Sequence, residues 1–257
     1  MSLNPTERFS RRAPYYHQSR PRYPRALVDL LAAEIALTPG SIIADVGAGT
    51  GISSEPFLDY GCTVYAVEPN AAMLAIAQAA YGGRPNLHLI AASAEATTLP
   101  AHSVDLVTAG QAFHWFDHAA ARLEFDRIRK PGGRICLFWN TRKDNAGDGG
   151  FLAGYNALVA RYDIDGGEQL VKGTAANEAQ QLTAFFGPVG YEQRALPNAQ
   201  PLDWDHFQAR LLSASYLPLP GDPGYDPMMA EAHTLFEAHQ REGRVTLHYV
   251  TEVYWSR

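Results

Sequence analysis

The residues of this 257-residue chain that say most about chemistry are a glycine-rich turn, Asp45-Val46-Gly47-Ala48-Gly49-Thr50-Gly51, and a carboxylate, Glu68, that lies 17 positions beyond Gly51. Glycines permit positive φ and let a ligand approach the backbone with no side chain in between. At the carboxyl edge of an open parallel sheet such a turn is a nucleotide site. The spacing is Gly-x-Gly-x-Gly, and Ile52 stands where a dinucleotide fingerprint carries its third glycine or alanine, which disfavours a pyrophosphate cradle. Glu68, at a strand end, can accept hydrogen bonds from both hydroxyls of a ribose, about 1.5 to 3 kcal/mol each, and would repel the extra phosphate of NADP. The pair selects a nucleoside with free ribose hydroxyls. Alone, the glycines also suit a purely structural turn, and Glu68 a solvated carboxylate before Pro69-Asn70.

Positioning these residues requires a sheet. From residue 41 onward, apolar β-branched runs alternate with helical stretches, the pattern of an α/β domain with a mostly parallel sheet. Strands are predicted over residues 41–46, 62–68, 87–92, 104–109 and 134–139, the last after a Pro131-Gly132-Gly133 turn. Helices are predicted over residues 52–60, with Pro56 tolerable only in the first turn, over 71–81 with Asn70 as cap, and over 119–128. Beyond residue 140 a polar loop, KDNAGDGG, precedes helical pieces at 151–162, 177–186, 204–214 and 226–240 and a strand at YEQRAL. Val245, Leu247, Tyr249, Thr251, Val253 and Trp255 alternate at period two, which predicts a long antiparallel strand over 244–255.

Composition narrows the classes. A formal charge of -6, with 46% hydrophobic residues, describes an ordinary globular protein with enough chain to bury a core without disulfide or metal staples. The acidic balance argues against a broad nucleic-acid surface. Cys62 and Cys136 both fall in predicted strands and read as buried thiols, and no His/Cys spacing suggests a metal site. The polar, basic, Pro-rich N-terminus lacks the apolar stretch of a signal peptide, and no run reaches the roughly 18 apolar residues of a membrane span. The expectation is a cytoplasmic protein without membrane or nucleic-acid partners.

In order along the chain stand DVGAGTG, a strand ending VEPN, the Ser93-Ala94-Glu95 turn, and VDLVTAGQAFHWFD followed by PGGR. This arrangement resembles the class I S-adenosylmethionine-dependent methyltransferases, and within them the methyltransferase type 11 branch near the trans-aconitate and cantharidin methyltransferases. FSRRAPYYHQSRPRYP at the start and RVTLHYVTEVYWSR at the end also resemble that branch. The resemblance implies a Rossmann-like, mostly parallel seven-stranded sheet with a C-terminal antiparallel strand, helices on both faces, and a helical acceptor and lid elaboration. It divides the chain into an N-terminal arm and lid (1–40), a cofactor-binding core (41–140), and an acceptor-pocket elaboration with the final strands of the same domain (141–257).

The same resemblance implies S-adenosyl-L-methionine as cofactor and roles for single residues. Asp45 would hold the glycine turn and, directly or through water, the methionine ammonium, with Gly47, Ala48, Gly49 and Gly51 lining methionine and ribose. Glu68 would take the ribose diol, and Pro69 or Asn70 would border the adenine. Ser93 stands where relatives often carry Asp, which shifts the adenine contacts to Ala94 and Glu95. Gln111 would offer backbone to the methionine moiety, and Tyr16, with Arg20 and Tyr23, would close over the cofactor.

For methyl transfer the protein must supply alignment and a dry site. His114, directly after the fourth strand, can act as general base, orient an acceptor, or pack. A carboxylate acceptor needs no base at pH 7, and Arg142 and Arg210 could then bind it as forks. Trp115, Trp139 and Tyr216 are candidates for apolar acceptor walls, with core packing as the alternative for the aromatics. The expected activity is methyl transfer to a small organic molecule, a carboxylate among the candidates. The rivals are a non-catalytic S-adenosylmethionine-binding module and an NAD-dependent oxidoreductase.

Overall fold

Short apolar runs that bury both of their faces build the sheet. In the computed structural model, which describes residues 13–142, 150–164, 175–214 and 216–257, strands β1 (Ile42–Val46), β2 (Thr63–Val67), β3 (Leu87–Ile90) and β4 (Val104–Gly110) pair in parallel, with β1 between β2 and β4. Strand β5 (Arg129–Arg142) pairs parallel to β4, and β6 (Tyr191–Leu202) and β7 (Val245–Ser256) complete a seven-stranded sheet of order β3-β2-β1-β4-β5-β7-β6. Alternate residues feed two cores. Ile43, Val64, Ala66, Leu106 and Cys136 join one cluster, while Ala44, Val46, Val67, Val107 and Leu137 join the other. Burial on both faces is what an all-parallel region demands. Both cysteines are buried free thiols.

Helices cover these faces. Helix α1 (Ala13–Ser19) is followed by α2 (Ala26–Ile35), which buries Leu27, Val28 and Leu31 in the first cluster together with Phe57 of α3 (Glu55–Tyr60). Asn70 caps α4 (Ala71–Tyr81) by accepting from the Ala72 and Met73 N–H groups, as its position predicts. Helix α5 (His118–Ile128), capped by Asp117, places Ala121, Phe125 and Ile128 in the second cluster, where Leu182, Phe185 and Phe186 of α7 (Ala175–Phe186) meet them.

The chain divides into two compact units, each drawn from three segments. The larger comprises Arg22–Thr141, Ala175–Pro197 and Thr251–Arg257, and holds both clusters above. The smaller comprises Met1–Pro21, Arg142–Thr174 and Asn198–Val250. Its core gathers α6 (Phe151–Tyr162), α8 (Trp204–Leu212) and α9 (Tyr225–His239) around Tyr155, Phe207 and Met228, with Val245, Leu247 and Tyr249 from β7. Helix α1 packs on α8 within this unit.

Several predicted boundaries move for identifiable reasons. The helix expected from residue 52 starts at Glu55, because residues 51–54 form hydrogen-bonded turns closed by Gly51. Pro131-Gly132-Gly133 does not precede the fifth strand; it sits inside β5, where the register jumps from Val104↔Arg129 to Leu106↔Arg134. Strand β6 runs beyond YEQRAL through Pro197 and Pro201, which an edge strand tolerates because it need not donate to a ladder on its outer side. Along β7 the alternation holds, with Val245, Leu247, Tyr249, Thr251, Val253 and Trp255 all buried. Most of the KDNAGDGG loop lies outside the described residues. Among the described residues, no helix is long and apolar enough to cross a membrane.

Candidate active site at the carboxyl edge of the sheet

The glycine turn leaves β1 at the centre of the sheet, where the order reverses between β2 and β4 and an open α/β sheet forms its binding crevice. Gly47 adopts φ +70°, and a Cβ there would stand 2.5 Å from the Ala112 Cβ and 3.3 Å from the Phe116 ring. Only glycine lets the turn after β4 approach so closely. Gly49, at φ +56°, differs: a Cβ there would meet nothing within 4 Å, so its outer side is open to a ligand. The Gly47 and Ala48 N–H groups donate to the Val67 carbonyl, at 2.8 and 3.1 Å, tying the turn to β2.

Asp45 is wholly buried beneath the turn. Its Oδ2 accepts from Ser53 Oγ at 2.7 Å and Ser54 Oγ at 2.6 Å, and its Oδ1 from Thr108 Oγ1 at 3.0 Å. Thr108 is its register partner across β1 and β4. Burial raises the Asp45 pKa, and the three hydroxyl bonds pull against that rise. Ser54 occupies the cap position of α3 yet makes no side-chain cap, because its hydroxyl is committed to Asp45. These three hydroxyl residues are functional parts that sequence reasoning left unnamed. The signal available was a carboxylate at a strand end followed by adjacent serines at a helix start.

Glu68 sits just past β2, also buried, and each of its oxygens holds one backbone donor: Oε2 accepts from Gly49 N–H at 3.0 Å and Oε1 from Asn70 N–H at 2.9 Å. Burial raises its pKa, the Asn70 and Gly49 donors lower it, and the charge of Asp45 adds to the rise. Each carboxylate oxygen keeps a lone pair for a further donor. Asn70 is buried with its side chain in the α4 cap, whereas Pro69 is exposed beside it. The Thr50 hydroxyl is buried and meets no partner among the described residues.

Of the remaining predicted cofactor residues, Ala94, Glu95 and Gln111 lie in the larger unit and Tyr16 in the smaller. Ala94 is buried, and half-buried Glu95 accepts from the Asp117 N–H at 3.1 Å, joining the turn after β3 to the start of α5. Gln111 takes φ +55°, donates from its N–H to the Phe138 carbonyl at 3.0 Å and accepts the Asn140 N–H on its Oε1 at 2.6 Å. Its side chain therefore braces β4 against β5. Tyr16 falls in α1, but its side chain lies outside the described residues. Tyr23 packs edge-on against Phe138 with ring centroids 4.7 Å apart.

His114 and Trp115 belong to a single helical turn, Phe113–Trp115, between Ala112 and Phe116, the two residues that touch the glycine turn. Both side chains are exposed, and their rings lie 5.0 Å apart. Protein crowded around His114, and then the charge of His118, push its pKa below the ordinary 6.5. His118 itself stacks on Phe113 at 4.0 Å and bonds the Phe113 carbonyl, fixing the turn. Trp139 is half-buried, stacked on Tyr254 at 4.8 Å, and donates its indole N–H to Glu252 at 3.2 Å.

Arg142, Arg210 and Tyr216 lie in the smaller unit. Arg210 is 95% buried, at 5% exposure, and its Nη1 donates to Ser213 Oγ at 3.4 Å. Arg142 places its guanidinium 5.0 Å from the centre of the Tyr155 ring. Tyr216 is half-buried, and Arg210, Arg142 and Arg20 are all within its electrostatic reach.

Residues 44–137 match the family described as the methyltransferase domain. An uncharacterized methyltransferase of Mycobacterium tuberculosis is 38% identical over 132 residues, 51% of each chain. The chain spans about half the length of the curated relatives it matches. A solved structure of a candidate type II methyltransferase from Anaeromyxobacter dehalogenans superposes with TM-score 0.68 at 27% identity, covering 93% of this chain and 97% of that one. The fold is also shared, at TM-score 0.52 and 16% identity over the full length of both chains, with an S-adenosylmethionine-dependent methyltransferase from Thiobacillus denitrificans solved with S-adenosyl-L-homocysteine. The matched segment contains the glycine turn, Glu68, Glu95, Gln111 and His114. Residues 44–137 are therefore similar to a methyltransferase domain, and they lie in a Rossmann-like sheet.

Proposed function

We propose that the protein transfers a methyl group from S-adenosyl-L-methionine to a small organic molecule, with a carboxylate as the favoured acceptor group. The observation that carries this reading is Glu68: two backbone N–H groups fix its carboxylate beside the open side of Gly49, where a ribose diol can use the remaining lone pairs. The residues fit the cofactor in a second respect, since Ile52 at the third-glycine position of the turn disfavours a pyrophosphate cradle. When bound, the cofactor supplies a methyl group already activated on a sulfonium.

The chain's own residues then have positioning work to do. Gly47, Ala48, Gly49 and Gly51 form the floor for methionine and ribose, and Gln111 offers its backbone at the mouth of β4. Asp45 acts from below, holding Ser53, Ser54 and Thr108 so that the turn keeps its shape. Pro69, Asn70, Ala94 and Glu95 border the adenine. His114, neutral at pH 7, receives a proton or orients the acceptor at the turn beside Gly47. Trp115 and Trp139 offer apolar walls in the larger unit, and Arg142, Arg210 and Tyr216 offer acceptor contacts in the smaller one.

Glu68→Ala should weaken S-adenosylhomocysteine binding by about 1.5 to 3 kcal/mol, read by calorimetry; unchanged affinity would remove Glu68 from the ribose site. Binding of NAD without S-adenosylhomocysteine would overturn the methyltransferase reading. Incubation with S-adenosylmethionine and a metabolite pool should yield a compound heavier by about 14 mass units, the mass of CH₂. His114→Ala should reduce turnover far more than cofactor binding.

A further inference from the structure

Among the described residues, the smaller unit buries a cation with no carboxylate beside it. Arg210, on α8, is 5% exposed, and among the described residues it pairs with no carboxylate. Its Nη1 makes one long bond, 3.4 Å, to Ser213 Oγ, the Tyr249 phenol is a further hydrogen-bond neighbour, and its Nε is shut away from solvent with no hydrogen-bond partner. Burying a guanidinium is costly unless an opposite charge or a full set of acceptors meets it. Around it the unit presents phenols and further cations. Tyr155, Tyr249 and Tyr216 are its electrostatic neighbours. Arg20 donates to the Ser213 carbonyl at 3.2 Å, so Arg20 and Arg210 converge on one serine. Arg142 lies over Tyr155.

We infer that Arg210, framed by Tyr155, Tyr216 and Tyr249, is an anion site that anchors one carboxylate of a small organic ligand. This inference rests on the acceptor reading above and deepens it. A carboxylate presents two oxygens to two parallel N–H groups of one guanidinium, and its single charge matches the one buried cation better than the greater charge of a phosphate. The Tyr155 and Tyr216 hydroxyls can donate to the same oxygens, whereas Tyr249 already donates its hydroxyl to Gln200 Oε1 at 3.3 Å. Arg142 and Arg20 strengthen the field without needing to touch the ligand.

The test is calorimetry on the full chain with sodium benzoate, glutarate, neutral benzamide and inorganic phosphate, each with and without S-adenosylhomocysteine. Benzoate or glutarate should bind about tenfold or more tighter than benzamide and than phosphate, and Arg210→Met should lower carboxylate affinity at least about tenfold while S-adenosylhomocysteine affinity stays within about twofold. Equal binding of benzamide and benzoate, tighter binding of phosphate, no carboxylate binding, or an unchanged Arg210→Met protein would each overturn the site. If circular dichroism shows that Arg210→Met does not fold, Arg210→Lys, which keeps the charge but loses the fork, should weaken benzoate by severalfold, and the benzoate to benzamide ratio of the unaltered protein still decides. Carboxylate binding without S-adenosylhomocysteine binding would sink the methyl-transfer reading and leave the anion site standing. The reverse result would remove the anion site alone.

Discussion

Asp45 and Arg210 are both ionisable side chains taken out of water, one in each unit, and the protein treats them in opposite ways. Asp45 receives three hydroxyl donors within 3.0 Å, all from its own surroundings. Arg210 donates one long bond to a serine, has the Tyr249 phenol beside it, and meets no acid among the described residues. The first group is complete without a ligand, and its work is to hold a turn in shape. The second is left with a donor to spare, and a buried polar group of that kind calls for an explanation, which the proposed carboxylate supplies.

The largest effect should come from breaking the complete side. Asp45→Ala strands three buried hydroxyls and should cost about 3 kcal/mol of stability in urea denaturation. A loss under about 0.5 kcal/mol would mean the hydroxyls find other partners. Gly110→Ala attacks the same shell indirectly, since its Cβ would come within 2.6 Å of the Ser53 Cβ and 2.8 Å of the Phe138 ring. It should cost about 2 kcal/mol, the scale of overpacking a core. Arg210→Met should do the opposite and raise stability by about 1 to 2 kcal/mol, because an under-compensated buried charge is removed; destabilisation would show that Arg210 is compensated within the fold and would erase the contrast.

The smallest effect is on pH. Asp45 has its pKa raised above 3.8 by burial, so the folded chain holds that proton more readily than the unfolded one. Stability from this group therefore falls as pH rises through the interval above 3.8. Asp45→Asn should flatten that part of the stability profile.

The sheet was legible because its strands are apolar β-branched runs broken by glycine turns, and such runs keep their identity in any parallel sheet. Asn70 as a cap and the alternation of β7 were legible for the same local reason. The shell of Asp45 was not. Thr108 reaches it only through the register Asp45↔Thr108, a pairing of residues far apart in the chain. Helix α2 escaped notice because prolines crowd the sequence just before it, although Leu27, Val28 and Leu31 carry helical spacing. The surroundings of Arg210 were hidden too, since residues 155, 210, 216 and 249 share no local pattern. Gln111 shows the limit from the other side: its place at the site was legible, but its left-handed backbone and its brace to Asn140 were not.

Strand β7 carries a consequence for synthesis. It is the last of the seven strands in sequence, yet it takes an interior place between β5 and β6, and Thr251–Arg257 at its end belong to the larger unit. A chain leaving the ribosome therefore holds β5 and β6 as two open edges until residues 245–256 have emerged, and the long-range pairing that closes the gap waits for them. Until then those edges are the part of the nascent protein most open to pairing with another chain.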